Sequence, residues 1–182
     1  MDLYLLRHGI AGQADASLFP DDALRPLTER GHERMHDLGK AMGPLGLRID
    51  SIWSSPHLRA LQTAEIFAQE VSSAQKVKPH KDLAPEGNQR RLLGNIADLD
   101  PSIEGLLLVG HEPRLSVLLS VLTTGSADLR IELKKGGLAK LVLDNRISLG
   151  RCGTLQWLLP PKVLLGLADD RTFTTVGRPA VR

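Results

Sequence analysis

Three short segments of this chain carry residues that can hold and attack a phosphate. They are Arg7-His8-Gly9, Ser55-Pro56-His57-Leu58-Arg59 and Gly110-His111-Glu112-Pro113. A guanidinium presents its donors in a planar fork that matches phosphate oxygens. An imidazole can be a nucleophile, provided the attacking nitrogen is unprotonated and a neighbour orients the other one. Each segment has a plain reading on its own. An Arg-His-Gly triplet is usually without meaning, a histidine after an apolar run often caps a helix, and a helical arginine is usually solvated. All three share one context, which those separate readings do not explain.

That context is a strand, a loop with His or Arg, then a helix. Leu3-Tyr4-Leu5-Leu6 reads as a buried strand ending at Arg7. Ile49 to Trp53 reads as a second strand, and Pro56 suits the start of a helix over His57 to Val71. Gly105 to Gly110 is the strongest strand pattern, and Pro113 opens a helix to about Leu122. Thr28 is a plausible N-cap for a helix from Glu29 to Met42 that ends at Gly43-Pro44. Val77 falls in a short strand, residues 82–89 in a loop, and residues 90–99 in a short helix. Leu138 to Leu143 and Thr154 to Leu159 read as late strands joined by a turn over 145–153, with a short helix from Pro160-Pro161 to Leu167. The early alternation predicts an α/β fold, a three-layer α/β/α sandwich with a mostly parallel sheet and an antiparallel edge. Ligands of such sheets bind beyond the carboxyl ends of the strands, so the three segments are expected to converge there.

Composition sets the outer limits. The 182 residues suit one domain, expected over 1–168, with a mobile tail over 169–182. Aromatics make up only 3% and the net charge is +2, which argues against a base-stacking nucleic-acid platform. No apolar stretch is long enough to span a bilayer. The N-terminus lacks the pattern of a signal peptide. Cys152 is the single cysteine, so no internal disulfide is possible. A cytoplasmic location is the expectation.

The motifs together resemble the histidine phosphatase superfamily and, within it, the SixA-type branch. The likeness runs through Leu5-Leu6-Arg7-His8-Gly9, Arg25-Pro26-Leu27-Thr28-Glu29-Arg30-Gly31, Ser54-Ser55-Pro56-His57-Leu58-Arg59-Ala60 and Leu108-Val109-Gly110-His111-Glu112-Pro113. It reaches Trp157-Leu158-Leu159-Pro160-Pro161 and covers about 1–165. The resemblance implies a phosphoglycerate mutase-like fold, with His8 as the nucleophile that carries the phosphoryl group. It implies that Arg7, Arg59 and His111 hold the phosphate oxygens and that Arg25 is an additional phosphate-binding arginine. It implies neither metal nor organic cofactor. Phosphoryl transfer by positioning and charge stabilisation agrees with this set.

One departure from the superfamily pattern bears on the substrate. Many members place an acid about two residues after a leucine in the middle loop, where it protonates an alkoxide. Here the loop reads Leu83-Ala84-Pro85-Glu86, so Pro85 takes that position. Glu86 is the candidate acid if the loop is shifted. An imidazole leaving group depends less on a strong acid, so the pattern favours phosphohistidine. The expected substrate is a phosphorylated protein such as a histidine phosphotransfer domain or phosphocarrier. The competing readings are hydrolysis of a small phosphate ester, nucleotide or phosphoanhydride, and a non-catalytic phosphate-binding module. His57 is expected as a partly exposed helix residue; His32, His36 and His80 are expected at the surface. Gln89-Arg90-Arg91 is expected as a solvated basic face.

Overall fold

The computed structural model describes residues 1–71, 75–144, 147 and 150–169. Strands β1 (Asp2–Arg7), β2 (Ser51–Ser54), β3 (Val77–Pro79), β4 (Gly105–Gly110), β5 (Leu138–Leu143) and β6 (Gly153–Leu159) form one sheet in the order β3-β2-β4-β1-β5-β6. The first four in that order pair in parallel; β5 and β6 are antiparallel and supply the expected edge. Five α-helices accompany them: α1 (Glu29–Met42), α2 (Leu58–Glu70), α3 (Gln89–Ala97), α4 (Arg114–Thr124) and α5 (Pro161–Asp169).

β4 and the middle of β1 are built almost wholly of apolar residues because both faces of the sheet are covered there. Side chains alternate along a strand, so each strand feeds two cores. Leu3, Leu5, Leu106 and Leu108 pack with α3 and α4 through residues such as Leu93, Ile96, Leu115 and Leu118. Tyr4, Leu6, Leu107 and Val109 pack on the other face with Met35 and Leu38 of α1, Ala64 and Phe67 of α2, and Leu164 of α5. Truncating one of these buried leucines to alanine costs about 2–5 kcal/mol.

Helix α1 begins as its sequence dictates. Thr28 is the N-cap, and its hydroxyl accepts from the Gly31 N–H at 3.0 Å. Gly31 is required by close approach, since a Cβ there would collide with the carbonyl oxygen of Ile10. This packing ties the start of α1 to the loop that follows His8.

Most element boundaries fall within two residues of expectation. β2 begins at Ser51, two residues later than expected, just after Asp50, whose Oδ2 accepts from the Glu104 and Gly105 N–H groups. α4 runs to Thr124, where Gly125 at φ +86° ends it in the left-handed conformation. A 3-10 turn, Lys81–Leu83, interrupts the loop expected over 82–89. The turn expected over 145–153 lies partly outside the described residues, and the expected tail lies outside them beyond Asp169. Among the described residues, no helix is long and apolar enough to cross a membrane.

Candidate active site

Strands β2, β4 and β1 are neighbours, so the loops leaving their carboxyl ends meet. The backbone stitches them together: His8 N–H donates to Gly110 O at 3.1 Å and Ser55 N–H to Val109 O at 2.9 Å. His111 Nε2 lies 2.8 Å from Ser55 Oγ. The rings of His8 and His111 stand 4.9 Å apart, and those of His57 and His111 5.0 Å apart. Arg59, in the first turn of α2, is buried beside them. Arg25 is joined to Arg59 through Asp22, whose Oδ1 accepts from Arg25 Nε at 2.7 Å and Oδ2 from Arg59 Nη2 at 2.9 Å. Arg7, His8, Arg25, Arg59 and His111 are thus brought together. Glu86 is exposed on the loop after β3.

The tautomer of His8 follows from its partner. Its Nδ1 lies 2.8 Å from the Gly9 carbonyl, which only accepts, so Nδ1 bears the proton and Nε2 the lone pair. Gly9 is itself fixed, because its N–H donates to Thr63 Oγ1 at 3.0 Å and Thr63 donates to Arg59 O at 2.6 Å. Burial, with the nearby Arg59, Arg7 and Lys135 charges adding to it, lowers His8 to about 3 against the opposing Gly9 hydrogen bond. Burial first, then His8, Arg59 and His57, lowers His111 to about 2. Both rings are therefore neutral at pH 7.

The arginines are held by one edge. Arg7 Nη1 donates to Leu133 O at 2.9 Å, and Arg59 Nη1 to Asp22 O at 2.8 Å. Their Nε atoms, together with Nδ1 of His57 and Nδ1 of His111, are buried without a hydrogen-bond partner among the described residues. An unsatisfied buried polar group costs about 1–3 kcal/mol. The two arginine Nε atoms and His111 Nδ1 make a cradle suited to an anion, and the His57 nitrogen stands outside it, on the ring that packs against His111. Ser55 Oγ accepts from His57 N–H and can give its own proton to His111 Nε2, the arrangement that leaves Nδ1–H of His111 as a donor. Among the described residues, no group of three His, Cys, Asp or Glu side chains is placed to hold a metal ion.

Three residues stand differently from expectation. His57 is buried against His111 rather than partly exposed, because it caps α2 where the helix enters the site. His80 is half-buried and stacks on Trp53 at 4.8 Å rather than lying free at the surface. Arg91 clamps Asp82, donating from Nε to Oδ2 at 2.7 Å, and is not simply a solvated charge. His36 lies at the surface as expected and pairs there with Glu70 through Nδ1 at 2.7 Å. Asp22 and Lys135 were not singled out from sequence. Asp22 lies three residues before Arg25, a spacing that could have signalled an ion pair. Lys135 has no local signal, since only the long-range contacts of Arg7 with Leu133 and Gly136 bring its turn to the site.

Comparison with known proteins agrees with this geometry. The family model for the histidine phosphatase superfamily (branch 1) matches residues 3–85. An uncharacterised protein of Picosynechococcus sp. (strain ATCC 27264 / PCC 7002 / PR-6) is 34% identical over 174 residues, which are 88% of this chain and 100% of that one. The phosphohistidine phosphatase SixA of Escherichia coli (strain K12) is 24% identical over 162 residues, 88% of this chain and 94% of that one. The solved structure of the protein histidine phosphatase SixA complexed with tungstate superposes with a TM-score of 0.77 at 23% identity, covering 89% of this chain and 98% of that one. The architecture is the expected phosphoglycerate mutase-like sandwich. This chain belongs to the histidine phosphatase superfamily.

Proposed function

We propose that the chain hydrolyses phosphohistidine carried on a protein, by way of a phospho-His8 intermediate. The observation that carries this reading is the lone pair on His8 Nε2, fixed by the Gly9 carbonyl, beside unpartnered donors on Arg7 and Arg59. The His8 lone pair attacks phosphorus as the bond to the substrate imidazole breaks. Water then attacks the phospho-His8 bond and releases phosphate. Arg7, Arg25, Arg59 and His111 bind the phosphoryl oxygens and stabilise charge in both steps. Phosphohistidine is favoured over esters because Pro85 stands where an ester-cleaving acid is expected and Glu86 is exposed. Likeness to SixA phosphohistidine phosphatases supports the same choice.

A protein substrate, such as a histidine phosphotransfer domain or phosphocarrier in the cytoplasm, also suits the rim. Leu18 and Leu24, on the segment that carries Asp22, are 67% and 65% exposed. Residues 1–168 would form the catalytic unit, with 169–182 dispensable for turnover. The test compares phosphate release from a phosphohistidine protein, an aryl phosphate and a sugar phosphate, in wild type and His8→Ala. Fast release from phosphohistidine that disappears in His8→Ala is the expected result. Preferential release from the esters, impaired by Glu86→Ala, would instead establish small-ester hydrolysis. That second reading has one observation in its favour: Glu86 is near enough to act electrostatically on His57.

A further inference from the structure

We propose that His57 is the proton-transfer residue of this site, giving a proton to the departing group and recovering one from the attacking water. This inference rests on the phospho-His8 reading above.

The other candidates are committed elsewhere. His8 uses Nδ1 to hold Gly9 and Nε2 to attack phosphorus. His111 Nε2 is engaged with Ser55 Oγ, and its remaining nitrogen belongs to the anion cradle. Glu86 is exposed on its loop. His57 is buried, two residues before Arg59, with its ring edge against His111 and its Nδ1 without a hydrogen-bond partner among the described residues. Asp22 Oδ2 lies 4.0 Å from that nitrogen.

The charges around His57 come from every side. Asp21 and Asp22 face it from the 3-10 turn Asp22–Leu24 and its cap, and Glu86 from the loop after β3. Arg59 faces it from its own helix, and His111 lies across the end of β4. Burial first, then Arg59, lowers its pKa, while Glu86, Asp22 and Asp21 oppose them. A phosphoryl dianion entering the cradle adds negative charge and opposes that lowering. A ring so placed holds a proton weakly when substrate is bound and gives it up readily.

The steps balance. In the first, the His8 Nε2 lone pair forms an N–P bond, the bond from phosphorus to the leaving group breaks, and the His57 proton goes to the departing atom. His57 is then neutral. In the second, a water oxygen bonds to phosphorus, the His8–phosphorus bond breaks, and a water proton returns to His57. Phosphate leaves and the ring ends as it began.

The test measures single-turnover formation of phospho-His8 from 4-nitrophenyl phosphate, phenyl phosphate and a phosphohistidine peptide. Wild type, His57→Gln and the volume-filling His57→Phe are compared. The nitrophenolate leaves without a proton, so both variants should give a burst within about threefold of wild type, which also reports a folded site. With phenyl phosphate the burst should fall by roughly 100-fold, the scale of general acid catalysis. Phospho-His8 should accumulate in the variants because its hydrolysis has lost the proton acceptor. Asp22→Asn should move the alkaline limb of the phenyl phosphate burst to lower pH, since removing a carboxylate lowers the pKa of His57. Equal losses on the two aryl donors, or no loss on either, would overturn the role of His57. Absence of phospho-His8 in wild type with every donor would instead overturn the nucleophile reading, and this inference with it.

Discussion

Acid should destabilise this protein through the two histidines at its centre. His8 and His111 are held at about 3 and about 2, against 6.5 for an ordinary histidine, mainly by burial. A ring with a depressed folded pKa binds fewer protons in the folded chain than in the unfolded one. Stability therefore falls as pH drops below 6.5, and goes on falling until the folded pKa is reached. Integrated from pH 6.5 to pH 4.5, the loss is about 2 kcal/mol per ring, or about 4–5 kcal/mol for the pair. That is a large part of the ~5–15 kcal/mol that holds a typical domain together. Asp82, lowered to about 2 chiefly by its Arg91 hydrogen bonds, does not confuse the window. Its contribution is present above 3.8 and is lost only below that value. Urea unfolding of wild type and of the double variant His8→Gln/His111→Gln, each referred to its own value at pH 6.5, isolates the effect. His57 and His80, which burial also lowers, are present in both proteins and cancel. Wild type should lose about 4 kcal/mol more than the variant by pH 4.5. Equal losses in the two proteins would refute the claim that these rings are neutral because they are buried.

Three other substitutions probe the supports of the site. Ser55→Ala removes the partner of His111 Nε2; it should cost about 1–3 kcal/mol in urea unfolding and lower kcat more than it raises KM. Gly31→Ala should lower the melting temperature despite the roughly 1 kcal/mol that alanine gains in helix propensity, because its Cβ meets the Ile10 carbonyl. Asp82→Asn loosens the loop that bears Glu86, since Asp82 accepts from Arg91 and from Asn88 N–H at 3.0 Å; a loss of about 1–3 kcal/mol in the same assay is expected, discounted for the exposure of Arg91.

The fold was legible because its signals are local. Apolar runs such as Leu3–Leu6 and Gly105–Gly110 can only be strands covered on both faces, and Thr28 and Pro56 mark helix starts through their own chemistry. The gathering of Arg7, Arg59 and His111 followed from one topological rule, that loops at the carboxyl ends of parallel neighbours meet. What sequence concealed was the second layer of contacts. His57 is buried by a neighbour 54 residues away in the chain, and no helical periodicity records that. Asp22 sits in a segment of turn residues, where a carboxylate ordinarily faces water; only the packing of that turn on α2 adds Arg59 to its local partner Arg25. Lys135 entered through a pairing of distant segments that no local pattern encodes.

The anchoring of Arg7 has a consequence for how the protein comes into being. Its guanidinium rests on the Leu133 carbonyl, 126 residues on, and its backbone is bracketed by Gly136 and Gly137. The nucleophile leaves the ribosome well before the turn that fixes its neighbour, which is made more than a hundred residues later. Contacts of such separation form late and slowly. A nascent chain that stops before Gly137 contains His8, Arg59 and His111, yet it lacks the support that aligns Arg7. Competence to handle phosphate is therefore acquired only once the turn through Gly137 has emerged and closed on Arg7.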